Sequence, residues 1–367
     1  MCLPPFFSGD PAESVEQVPS FLRACPTAII NYRWPRADAD GGLLPPESPP
    51  DSGEGGPYSA LGPWPTPLHD VLFGYDWITQ NLSPADPSTR RDILVYGSYL
   101  GAGLAAALAL TETRPDARMA VRALVAFNGI YNWTTFLPDH PLNRRARDAP
   151  LSDLVLPDGG GPAFAALRRR IPALFTAPSD LFDPFASPSL FFHTTGMTPP
   201  DDFAASALPS SLASAIDALS LGAAPGPDGA PPPPPDPAPR KGYLAFPPRH
   251  SELQIPKALL LHETAPPPSP LARPRRRGRV ATTPKRRKAG ENSFAAQAAE
   301  LAALMRRSVA KLEARHRIPA GDEGDGWEAE AESRARAEDV GAGGAGHALG
   351  SRGEEAAREW LAERMDI

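Results

Sequence analysis

The stretch Ile93–Glu112, "ILVYGSYLGAGLAAALALTE", joins a short apolar run, a corner with glycines and a run of small residues. The apolar run predicts a buried strand, and the small-residue run predicts a helix from about Tyr99 to Glu112. Gly97 and Gly101 bracket Tyr99, so an aromatic residue lies at the centre of a tight strand-to-helix turn. This unit of strand, corner and helix is the basis for the fold prediction.

The segments on either side extend the same pattern. Thr27–Trp34 is a short apolar run ended by Pro35, and Ala123–Phe127 is another, so both predict buried strands. Between them Pro67 begins a predicted helix with one apolar stripe, formed by Leu68, Val71, Leu72, Tyr75, Ile78 and Leu82. Further short strands are predicted at Ser187–Thr194, Gly242–Phe246 and Lys257–His262. Apolar strands alternating with helices predict an α/β fold, a mostly parallel sheet covered by helices on both faces.

Composition indicates how the 367 residues are divided into a domain, insertions and a C-terminal extension, because the 48 Pro and 31 Gly are concentrated in a few stretches. We expect the α/β domain to span residues 1–262, with a disordered insertion at 36–63 and a partly disordered Pro-rich insertion at 204–240. Beyond it the sequence predicts a basic Pro/Arg-rich linker at 263–291, an amphipathic helix at 292–316 and an acidic Gly/Ala-rich tail at 317–367. A terminal helix around Trp360 is also expected.

Several classes of protein are disfavoured by the sequence. The longest apolar run, Leu100–Leu110, is shorter than the roughly 20 residues of a membrane span, and the N-terminus lacks the pattern of a secretory signal. Two cysteines are too few for a disulfide framework. No group of His, Cys or Asp has metal-ligand spacing and no glycine loop fits a phosphate, so neither a metal nor a cofactor is expected. The default location is the cytoplasm.

Two features outside the α/β domain suggest partners. Arg273–Lys288 is a basic cluster that would suit nuclear import or an anionic surface, but it contains no aromatic residues for base stacking. We favour a solvated linker there, without nucleic-acid binding. The helix Phe294–Arg315 is expected to pack on the α/β core, with binding of a protein partner as the alternative.

Three motifs in order resemble the hormone-sensitive-lipase-like branch of the α/β-hydrolases, which contains many carboxylesterases and lipases. "INYRWP" is similar to a strand-end motif of that branch, and "PWPTPLHDVLFGYDWI" to its following helix, with Asp70 and Trp77 at the matching positions. "VYGSYLGAGLAAALAL" is similar to the nucleophile elbow. The resemblance covers about the first 135 residues well and implies an α/β-hydrolase fold with a cap-like region at 137–186, a small-molecule ester or acyl ligand, and a serine nucleophile.

The elbow departs from the family pattern at two positions. Without gaps, Tyr99 replaces the elbow serine and Ser98 the preceding aspartate. Pro4 and Pro5 replace the oxyanion glycines and have no N–H to donate. The resemblance therefore predicts a catalytically degenerate elbow formed by Gly97, Tyr99 and Gly101.

Two alternatives remain at this point. In an active carboxylic ester hydrolase, Ser98 would be the nucleophile, with His262 as base and Asp201 or Asp202 as acid, in the chain order of the family. In an interaction scaffold, the basic linker and the C-terminal helix would carry the function.

Overall fold

The fold is described by a computed structural model that covers most of the chain. The described residues are 1–6, 15, 17–34, 62–86, 88–137, 139–143, 161–203, 239–264, 292–317, 326–341 and 347–364. The predictions of disorder for the two insertions and of a basic linker fall almost entirely on 36–61, 204–238 and 265–291, outside these residues.

A single sheet of five strands, all parallel, forms the centre of the described molecule, and its strand order follows the chain. Beyond β1, Ile29 adds an isolated parallel bridge to Cys2, so Thr27–Trp34 is extended chain rather than a full strand. This sheet confirms the predicted α/β class with parallel strands. The strands are β1 (Cys2–Leu3), β2 (Arg91–Ser98), β3 (Met119–Phe127), β4 (Lys257–His262) and β5 (Ala335–Asp339).

Helices connect the strands, and the three with predicted bounds, near 67–82, 99–112 and 292–316, begin and end within two residues of those bounds. The helices are α1 (Thr66–Asn81), α2 (Leu100–Glu112), α3 (Gly161–Leu174), α4 (Phe294–Arg317), α5 (Gly326–Arg334) and α6 (Ser351–Arg364). The strand predicted at Ser187–Thr194 is wrong, because Pro188–Phe191 forms a short 3-10 helix. The strand predicted at Gly242–Phe246 is reduced to one bridge between Tyr243 and His193. No described helix is both long and apolar enough to cross a membrane.

Apolar side chains cover both faces of the sheet, as the apolar strands require. The larger cluster includes Leu68 of α1, Leu104 of α2, Leu167 of α3 and Leu301 of α4, together with the Tyr99 ring. The second cluster, on the opposite face, joins Tyr96 and Phe127 to Phe21 and to Trp360 of α6. The prediction that α4 packs on the core is confirmed, since it lies against β4 and β5.

Two of the motifs behind the family resemblance are joined by an ion pair. The Arg33 guanidinium donates to Asp70 at 2.8 Å from Nη2 and 3.1 Å from Nε, and the Arg33 backbone N–H adds a bond of 2.7 Å. Asp70 lies in α1, so this bidentate pair fixes the helix to the extended segment that follows Ile29. Trp77, the other residue at a position that matches the family motif, is 59 % exposed.

The predicted acidic tail contributes a strand that the sequence did not reveal. β5 pairs with β4 from Ala335 opposite Ala258 to Asp339 opposite His262. It forms the edge of the sheet, and only Ala335 in it is fully buried. Val340 and Gly341, which follow β5, therefore lie at the same end of the sheet as the strand-to-helix corner.

Candidate functional site

The candidate site lies at the carboxyl ends of the strands, where loops of parallel α/β sheets form binding and catalytic sites. Three segments meet there: the loop after β1, the corner between β2 and α2, and the residues that follow β5. They bring Phe6, Tyr99 and His347 into contact. These side chains, with Phe164 of α3 and Phe294 of α4, form what we call the elbow cluster.

Tyr99 occupies the apex of the corner in a strained backbone conformation. Tyr99 lies between the end of β2 at Ser98 and the start of α2 at Leu100, and it has φ 51° and ψ −113°. Bulky residues seldom adopt positive φ, at a cost of about 1–3 kcal/mol where the surrounding structure enforces it. The Tyr99 N–H donates to the Phe127 carbonyl at 2.8 Å, which ties the corner to β3.

The glycines on either side of Tyr99 allow the backbone to approach closely. A Cβ built on Gly101 would lie 2.5 Å from the Pro4 carbonyl oxygen and 2.6 Å from that of Leu3. A Cβ on Gly97 would lie 2.5 Å from the Gly101 carbonyl oxygen. Hence the first turn of α2 can cross β1 and β2 at this distance only with glycine at both positions.

The Tyr99 ring is buried by other rings and is 1 % exposed. It stacks on the His347 imidazole with centroids 3.9 Å apart and planes 30° apart. The rings of Phe6 and Phe294 also meet it edge-to-face, with their centroids 5.3 Å and 6.1 Å from the Tyr99 centroid. Phe164 closes the cluster through Phe294 at 4.7 Å. Side chains of this chain thus fill the space above the corner.

Burial keeps both stacked groups uncharged at neutral pH. It raises the pKa of the Tyr99 phenol well above the ordinary value, although the positive charge of Arg170 acts in the opposite direction. It lowers the pKa of His347 to about 4, and the Arg170 charge adds to this effect. The buried Arg170 guanidinium lies 6.0 Å from the Phe6 ring centroid, at the margin of the cluster. The stacked imidazole faces the phenol ring rather than its hydroxyl, so this geometry is one of packing.

The low pKa of His347 predicts a pH-dependent stability. The folded chain binds a proton on His347 only near pH 4, whereas an unfolded histidine binds one near pH 6.5. The unfolded state therefore holds more protons between these values, and the free energy of unfolding should fall by about 2–3 kcal/mol from pH 6.5 to pH 4. Urea unfolding across this range, for the wild type and for His347→Phe, measures it. His347→Phe retains a stacked ring without a titrating group and should lose this part of the slope; an unchanged slope would contradict the assignment.

Of the described residues directly after β1, which are Pro4, Pro5 and Phe6, two lack a backbone N–H. Pro4 and Pro5 have no N–H, and the Pro4 carbonyl accepts a bond of 2.5 Å from the buried Tyr32 hydroxyl. Leu100, the first residue of α2, has an N–H at the position where hydrolases supply one oxyanion donor. The second donor of that arrangement would come from the loop that carries the two prolines.

The sequence-predicted residues Ser98 and His262 lie on opposite faces of the sheet. Ser98 is 2 % exposed and follows Tyr96 by two residues in β2, so it shares the sheet face of the second cluster. His262 follows Leu260 by two residues in β4 and so shares its face, that of the larger cluster. Ser98 pairs with Phe127 of β3, and Phe127 pairs with Leu261 of β4, the neighbour of His262. Ser98 and His262 are therefore also two strands apart, a distance of about 10 Å.

The remaining predicted residues are also not gathered around Ser98. His262 lies in register with Asp339 of β5; burial lowers its pKa, which the Asp339 carboxylate partly offsets. Asp201 and Asp202 are exposed in the turn before Phe203. The residue that sequence reasoning missed is His347, since the strand before it was not predicted.

Comparisons with family models, with curated proteins and with solved structures find no match to this chain. Among the described residues, no group of three or more His, Cys, Asp or Glu side chains could hold a metal ion. The corner itself is therefore the feature from which a function can be inferred.

Proposed function

We propose that this chain is an esterase/lipase-like protein of the α/β-hydrolase fold whose hydrolytic site is degenerate. The observation that carries the proposal is the Tyr99 ring, held at the apex of the strained corner and stacked on His347. A sharp strand-to-helix turn at the carboxyl edge of a parallel sheet is where this fold holds its nucleophile. Strain of this kind is concentrated at functional sites, so its retention at Tyr99 supports descent from an active corner.

Two chemical facts argue against turnover. An attacking phenol would have to lose its proton, and burial makes that loss harder for Tyr99 than for a free tyrosine. The two prolines remove N–H groups from the loop that faces the corner, and loss of one oxyanion donor costs about 3–4 kcal/mol of transition-state stabilisation. Small-molecule ester or acyl binding would further require displacement of the rings above Tyr99.

The alternatives have less support. An active enzyme built on Ser98 would need its hydroxyl to reach the other sheet face, away from the cluster that contains Tyr96. The scaffold alternative relies partly on α4, one side of which is already used in packing on β4 and β5. Its basic linker lies outside the described residues, as does much of the proposed cap-like region at 137–186. The proposed location is the cytoplasm.

Ester turnover tests the proposal. The purified chain, incubated with p-nitrophenyl acetate and p-nitrophenyl butyrate, should release p-nitrophenol no faster than the heat-denatured chain. Ser98→Ala should leave this background rate unchanged. Saturable turnover that disappears in Ser98→Ala would instead support the active-hydrolase alternative and overturn ours.

A further inference from the structure

A groove far from the elbow cluster combines apolar walls with positive charge. It runs between α4 and the extended segment 243–247, and we call it the α4 groove. Its lining residues include Phe192, Phe246 and Leu304, which are buried, and Tyr243, Arg307 and Lys311 along its rim. The Phe192 and Phe246 rings pack edge-to-face, with centroids 5.3 Å apart, and form the floor of the groove.

The rim carries two cations and no acidic side chain among the lining residues. The Arg307 guanidinium stacks over the Tyr243 ring with 3.5 Å to the centroid, although Tyr243 is 55 % exposed. Lys311, one helical turn further along α4, is also exposed. Aromatic and arginine side chains held in this way are the residues that dominate protein interfaces. The charge pattern favours an acidic partner.

The extended segment presents unused backbone groups next to this rim. The Leu244 N–H donates to the Phe192 carbonyl and the Thr194 N–H to the Gly242 carbonyl, each at 2.8 Å. Because these two bonds flank the bridge between His193 and Tyr243, the N–H and C=O of Tyr243 point away from the 192–194 segment. Within the described chain the N–H groups of Tyr243 and Ala245 donate no hydrogen bond to backbone. An edge of this kind accepts an added strand.

We propose that the α4 groove binds an extended acidic peptide segment of a protein partner. The peptide backbone pairs with the edge at Tyr243 and Ala245, alternate apolar side chains lie against Leu244 and Phe246, and glutamate or aspartate side chains pair with Arg307 and Lys311. Backbone pairing contributes affinity, and the two cations favour a peptide with negatively charged side chains. This function is independent of the degenerate hydrolytic site.

The probe for the test is a fluorescein-labelled hexapeptide that alternates glutamate with leucine or phenylalanine, titrated with the full chain and followed by anisotropy. We expect saturable binding that weakens about tenfold or more in the double variant Arg307→Gln, Lys311→Gln. The matched control, Arg90→Gln with Arg358→Gln, removes two exposed cations elsewhere and should bind as the wild type does. Circular dichroism verifies that each variant is folded.

Modified peptides distinguish binding by backbone pairing from binding of any anion. N-methylation of alternate peptide residues, which blocks backbone pairing, should abolish binding, and replacing glutamate by lysine should do the same. Absence of binding at 1 mM peptide, equal binding by the Gln variants, or equal binding of the N-methylated peptide or of a free fatty carboxylate would each overturn the proposal.

Discussion

Tyr99→Ala is expected to lower the free energy of unfolding by about 3–5 kcal/mol, because it removes a fully buried aromatic ring and leaves a cavity beside His347 and Phe294. Tyr99→Gly removes the same ring and also relieves the positive φ. It should therefore be about 1 kcal/mol more stable than Tyr99→Ala, the reverse of the usual order, since relief of strain exceeds the added backbone entropy.

Urea unfolding followed by tryptophan fluorescence measures both variants. Ala303, exposed in the middle of α4, provides the reference position, where Ala303→Gly should cost about 1 kcal/mol as in an ordinary helix. If Tyr99→Gly were less stable than Tyr99→Ala by that same amount, residue 99 would not lie at a strained corner.

Gly101→Ala should be severely destabilising, by about 2–3 kcal/mol or more. The new Cβ would meet the Pro4 and Leu3 carbonyl oxygens at 2.5 and 2.6 Å, so β1 and α2 must move apart. This cost exceeds the gain of about 1 kcal/mol that alanine brings to a helix interior. The same unfolding experiment measures it.

Gly350→Ala is the matched control for that substitution. A Cβ at Gly350, the residue directly before α6, would meet no atom within 4 Å, so Gly350→Ala loses only the helix N-cap preference for glycine over alanine. Its free energy of unfolding should stay within about 1 kcal/mol of the wild type. Equal stability of the two alanine variants would mean that α2 does not cross β1 closely, which the proposed corner requires.

The central part of the fold was predictable because its signals are local. β2, α2 and β3 are almost entirely apolar, and glycines mark the corner between the first two. The apolar stripe of α1 is equally clear: Leu68, Val71, Tyr75 and Ile78 are buried, and only Leu82, at the end of the stripe, is exposed, by 41 %. Such patterns arise because one or both faces of the element are buried, so the order of apolar residues in the sequence predicts them.

Other elements depend on long-range contacts and were missed or misread. The sequence of β5, "ARAED", has three charged residues of five, because an edge strand is paired on one side only. The run Pro188–Phe191 is apolar like a strand, but Ser187 holds it in place by accepting a bond from the Trp133 N–H and donating one to the Leu181 carbonyl. No local pattern contains that information.

The residues of the candidate site also fall into those with a local sequence signal and those placed by long-range contacts. The glycine spacing predicted a tight turn at Gly97, Tyr99 and Gly101, and the family resemblance identified that turn as an elbow. His347 was not predicted, because its position follows from β5 being the last strand, and β5 was not seen. The sequence therefore assigned the base to His262, at the end of β4, the last strand that it revealed.

Intact-mass spectrometry after exposure to a fluorophosphonate probe tests the central claim most directly, because this reagent reports an activated serine or tyrosine whatever the substrate. We predict that the mass of the folded wild-type chain stays unchanged. A single stoichiometric adduct that maps to Ser98 or Tyr99 would contradict the claim that the corner holds a buried, unreactive tyrosine ring in place of a nucleophile.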